Sequence, residues 1–112
     1  MQGLEILKLA DNRIASIRPL EGLVHLTELD LANNNITDLD ALEELTNLEY
    51  LNLSENHNIV DVGPLRKLRK LKVLNLFGTG VSNLDALIDL DEVEITVTKE
   101  DCLLYTSDAA DE

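Results

Sequence analysis

The sequence predicts an α/β solenoid, with short parallel β-strands on an inner concave face and 3₁₀ or irregular turns on an outer convex face. Three observations carry that prediction. The chain repeats itself with a period of 22 residues. Each unit opens on LxxLxL, a spacing that puts two leucines on one face of a short strand. An asparagine follows at a fixed distance in the first three units, at Asn12, Asn34 and Asn56. A period of this length marks a stack of units, because one unit cannot bury its apolar face alone.

The units run 4–25, 26–47, 48–70 and 71–92, with a partial fifth at 93–101 where the pattern fades. The third unit carries one extra residue, at His57 or Asn58. The paired strand leucines are Leu7/Leu9, Leu29/Leu31, Leu51/Leu53 and Leu74/Leu76. Asparagine follows the strand because its amide can bond backbone groups that a tight inward turn would otherwise bury unpaired. In the fourth unit Thr79 stands at that position. Ile14, Ile36, Ile59 and Val81 then return to the core, followed by Ile17, Leu39, Val62 and Leu84. The return arm holds Leu20/Leu23, Leu42/Leu45, Leu65/Leu68 and Leu87/Leu90. It is short and carries Pro19 and Pro64, which favours 3₁₀ or irregular turns over full helices. "VEITV", residues 93–97, alternates apolar and polar and is expected to add an edge strand.

The 112 residues suffice for one domain. Apolar residues make up 45% but aromatics 3%, so the core is aliphatic. No apolar run approaches the roughly 20 residues of a membrane span. The formal net charge is −13. Such a surface repels phosphate backbones and disfavours nucleic acid. It would attract a basic protein partner.

Residues 4–92, with four units of the "LxxLxLxxNxI" type, resemble the leucine-rich-repeat proteins. "ITDLDAL" and "IVDVGPL" resemble the 22-residue subfamily that includes bacterial internalins and the nuclear regulatory subunit of protein phosphatase 1. The "PL" after the isoleucine pair leans toward the internalin type. The resemblance implies a protein-interaction module, in the manner of a scaffold or regulatory subunit. An alternative is the substrate-recognition part of a larger enzyme whose catalytic domain lies outside this sequence. A start at Met1, with no basic-then-apolar leader, implies a cytoplasmic or nuclear protein. A truncated internalin-like protein implies the cell surface or secretion. Leu4 opens a strand almost at once, so Met1 is expected to be internal to a longer chain. Residues 1–101 alone are expected to be marginal and to self-associate.

Residues 102–112, "CLLYTSDAADE", have none of the repeat spacing. A nucleotide string that encodes them resembles the transposase end and adapter of sequencing libraries, so the segment reads as a non-native tail. Cys102 then says nothing about redox compartment. Without Asp108, Asp111 and Glu112 there remain 9 basic and 19 acidic residues, a net −10.

The residues form no catalytic constellation, and no cofactor is expected. His25 and His57 are isolated and read as surface turn residues, and no Cys/His cluster has metal-ligand spacing. "FGTG", residues 77–80, reads as the repeat's own loop rather than a phosphate cradle. Glu43 and Glu44 belong on a solvated outer arm. "RKLRKLK", residues 66–72, holds Arg66, Lys67, Arg69, Lys70 and Lys72 and reads as a charged flank. A localisation signal or an anionic docking patch is the sharper reading of that run.

The binding candidates are the strand positions that face away from the leucine core. These columns are Ile6, Glu28, Tyr50, Val73; then Lys8, Asp30, Asn52, Asn75; then Ala10, Ala32, Ser54, Phe77. Among them Tyr50 and Phe77 stand out as aromatic rings that the frame does not need. Glu28, Asp30, Tyr50, Asn52, Val73, Asn75 and Phe77 are therefore the expected partner-binding set. They suit a protein that presents Lys or Arg beside an apolar residue. The competing reading packs Phe77 under its own loop to make up for Thr79.

Overall fold

The computed structural model describes residues 3–90 and 93–96. The tail at 102–112, the end of the fifth unit and Val97 lie outside the described residues.

Each LxxLxL segment forms a strand: β1 Ile6–Lys8, β2 Glu28–Asp30, β3 Tyr50–Asn52 and β4 Val73–Asn75. A fifth strand, β5, spans Glu94–Thr96, where the alternation of "VEITV" placed it. The strands make one parallel sheet in the order β1-β2-β3-β4-β5. Among the described residues four 3₁₀ turns close the convex side, at Arg18–Leu20, Asp40–Leu42, Gly63–Leu65 and Asp85–Leu87. Pro19 and Pro64 sit where a missing N–H costs nothing.

The leucines of one unit pack against those of the next. Leu29, Leu51 and Leu74 are aligned neighbours across the sheet, each at most 1% exposed. Leu7, Leu9, Ile14, Leu84 and Ile95 lie toward the outer turns of the stack and are partly buried. Their burial falls because one side lacks a stacked neighbour among the described residues.

Two polar columns hold the turns. Asn34 donates from Nδ2 to the carbonyls of Leu9, Leu31 and Ala32, at 3.1, 2.9 and 3.2 Å. Its Oδ1 accepts from the Ile14 amide at 3.0 Å. Asn56 repeats the arrangement one unit on, toward Leu31, Leu53, Ser54 and Ile36. Each asparagine thus satisfies buried backbone groups in its own unit and in the preceding one. The second column is Ser16, Asp38, Asp61 and Asn83. Their side-chain oxygens accept the backbone N–H two residues on, at 3.4, 2.8, 2.8 and 2.9 Å, where each 3₁₀ turn begins. These local bonds were not read from the leucine spacing, although Ser, Asp and Asn just before a turn are its usual signal.

The strand register departs from the repeat count at the fifth strand. Counted from Leu71, Thr96 would take the leucine position of β4. In the structure Ile95 pairs with Leu74, one residue earlier. A one-residue slip exchanges the two faces of a strand, and burying Ile95 rather than Thr96 decides the register.

Candidate functional site

The sheet face opposite the leucines is an array of side chains at fixed spacing. Register places Glu28 beside Tyr50 and Tyr50 beside Val73, with Asp30, Asn52 and Asn75 in the next column. Between them lies a shallow open hollow of about 190 Å³. Glu28, Asp30, Tyr50, Asn52, Val73 and Asn75 line it, so six of the seven residues expected from sequence meet in one place. Phe77 is not among its lining residues.

Tyr50 is 44% exposed, as an aromatic ring outside the core. Ile6, in the same column at the far end of the sheet, is 53% exposed. Val73 is half-buried. Glu28 is held by Lys8 of the neighbouring strand, Nζ to Oε2 3.8 Å. That pairing, unseen in the repeat pattern, dilutes the acidic side of the hollow.

Asp30, Asn52 and Asn75 each commit one oxygen to their own chain. Their Oδ1 atoms accept from the amides of Ala32, Ser54 and Phe77, at 3.1, 3.0 and 3.0 Å. The column therefore shapes the strand exit as well as lining the face. The third column is more enclosed than a free binding column would be. Ser54 is buried, and Ala10, Ala32 and Phe77 are half-buried. The Phe77 carbonyl accepts from the Glu55 amide at 2.8 Å.

The basic run is an exposed flank tied to the preceding unit. Lys67 approaches Glu43 at 4.0 Å, Lys72 approaches Glu49 at 3.4 Å, and Lys70 donates to Asn47 Oδ1 at 2.8 Å. Glu43 of the second unit thus faces Lys67 of the third, and Glu49 of the third faces Lys72 of the fourth. Among the described residues no group of His, Cys, Asp or Glu is placed to hold a metal ion. No helix among them is long and apolar enough to cross a membrane.

A convex stack of 3₁₀ turns, a parallel strand from every unit and an open concave face define a curved repeat solenoid. The family profile described as leucine-rich repeats (two copies) matches residues 2–44 and 46–91, and the chain belongs to the leucine-rich-repeat family. Solved structures place it near the internalins. An internalin, InlF, from Listeria monocytogenes is 40% identical with a TM-score of 0.81, over 88% of this chain. Internalin C2 of the same organism is 30% identical with a TM-score of 0.72, over 86%. A leucine-rich-repeat protein of Leptospira interrogans, 23% identical with a TM-score of 0.51 over 80% of this chain, shares the fold. The chain spans 29%, 42% and 30% of those three chains. No curated protein matches it in sequence.

Proposed function

We propose that the concave face is a protein-docking surface, centred on Tyr50 and Val73 and flanked by Glu28 and Asp30. The observation that carries this reading is the hollow itself. It exposes an aromatic ring on a sheet whose apolar side is already filled by leucine. Exposed aromatic residues are enriched where interfaces concentrate their energy. A rigid, parallel-paired backbone loses little freedom on binding, which favours affinity. Tyr50 and Val73 offer an apolar seat, and Asp30 adds negative charge beside it. The partner chemistry that fits is a protein surface presenting Lys or Arg next to an apolar side chain. The chain acts in this reading as a binding module, and a recognition part of a larger enzyme would use the same face.

A displayed random-peptide library, selected on the whole unmutated chain alone, tests this. The expected peptides pair Lys or Arg with an apolar residue. They lose at least tenfold in affinity on Tyr50→Ala, about 1.4 kcal/mol, and bind unchanged to Glu44→Ala on the outer arm. Peptides that survive Tyr50→Ala and fail on Glu44→Ala would place binding elsewhere.

A further inference from the structure

The seam between the third and fourth units is built differently from the two before it. Across the first seam Asn34 makes two side-chain bonds, to the Leu9 carbonyl and from the Ile14 amide. Across the second, Asn56 does the same with Leu31 and Ile36. Thr79 takes the asparagine position at the third seam, and its hydroxyl bonds stay within its own unit, to Leu76 and from Val81. A threonine has one rotatable O–H and cannot reproduce the two-ended reach of an amide. The amide of Ile59, which would have bonded an asparagine there, turns instead to the Asn56 carbonyl at 3.1 Å. The extra residue of the third unit makes that local turn. It also projects His57 toward the next unit, where Nδ1 lies 2.8 Å from the Gly78 carbonyl. The insertion and the loss of asparagine therefore occur at the same seam, and one answers the other.

We infer that His57 is a positioning residue that latches the fourth unit to the third in place of the missing asparagine rung, and so sets the Tyr50–Val73 step of the hollow. A carbonyl can only accept, so Nδ1 carries the proton. Nε2 then faces Glu55 Oε1 at 3.7 Å. Glu55 in turn closes over Gly78, whose φ is +77°; a Cβ there would stand 2.8 Å from Oε1. The latch thus has a donor, an acceptor and a glycine that admits the neighbouring carboxylate. Its consequence for binding rests on the docking reading above, but its structural content does not.

Hydrogen exchange on the whole chain tests it without a partner. The amides of Glu55 and Gly80 cross this seam, to Phe77 and Ile59; those of Asp11 and Asn33 cross the other two. His57→Ala is expected to speed exchange at Glu55 and Gly80 about fivefold, the worth of one hydrogen bond. Asp11 and Asn33 should keep their rates. His57→Gln, which retains an N–H donor, should recover part of the protection. A uniform change at all four amides, or none, overturns the inference. Imidazole nitrogen shifts give a second reading on the unmutated chain: a proton on Nε2 instead of Nδ1 in the neutral ring overturns it as well. Failure of the peptide selection would leave these results untouched, and the reverse holds too.

Discussion

Asn56 shows how much one side chain can hold in this fold. It is fully buried and makes four hydrogen bonds, to three carbonyls and one amide. Asn56→Ala leaves those groups in an apolar interior, and is expected to cost about 3 kcal/mol or more. Asn12, at the same repeat position, is exposed and bonds carbonyls of its own unit. Asn12→Ala should cost under about 1 kcal/mol, and urea unfolding of both variants makes the comparison. Backbone strain is a second matter at this scale. Asp11, Asn33, Glu55 and Gly78 form a column of left-handed residues, with φ of 63°, 57°, 61° and 77°. Glu is the least suited to it, because Asp and Asn tolerate this region better. Glu55→Asn is expected to raise stability by about 0.5 kcal/mol, whereas Gly78→Ala should lower it through both φ and the contact with Glu55. Thermal melts of the two variants would show opposite signs, and equal signs would contradict the strain argument.

The 3₁₀ turns bring a charge penalty with their caps. Asp38 and Asp61 cap successive turns, and Asp40 opens the turn that Asp38 caps. The pKa of Asp40 is raised, first by the charge of Asp38, then by desolvation and by Glu43. A carboxyl with a raised folded pKa binds more protons folded than unfolded. Its penalty is therefore full at neutral pH and relieved as pH falls through the raised value. Asp40→Asn should raise the melting temperature at pH 7 in low salt. The gain should shrink in about 0.5 M salt, where screening is short-ranged. An unchanged melting temperature in low salt would remove this repulsion from the account. The flank pairs Lys67–Glu43 and Lys72–Glu49 are exposed, and each is worth at most about 1 kcal/mol.

Stacking makes the whole molecule a one-dimensional chain of neighbours, so position in the stack decides the weight of a leucine. Leu51 is 1% exposed and pairs with Leu29 on one side and Leu74 on the other. Leu7 is half-buried and, among the described residues, pairs with Leu29 alone. Leu51→Ala is expected to cost about 2–5 kcal/mol, and Leu7→Ala clearly less. Equal losses in denaturant midpoint would mean that burial does not grow with stacking. The same geometry sets the proposed docking face. A hollow spread over β2, β3 and β4 keeps its shape only while the seams between the units hold.

Much of this was legible in the spacing. The period located the strands, the inward leucines, the return turns and the structural asparagines, because each follows from which residues one short strand or turn can place on one face. The outward columns were legible as positions. Their chemistry was not, since it depends on the neighbouring unit. Lys8 reaches Glu28 across the sheet, and Ile95 rather than Thr96 takes the place beside Leu74. Phe77 is half-buried and lies outside the lining of the hollow that holds its six companions. The extra residue of the third unit was visible as a count, but its reach to Gly78, 21 positions on, was not. Repeat spacing is a property of one unit, whereas the seams are formed between units, and only the stacked structure brings their two sides together.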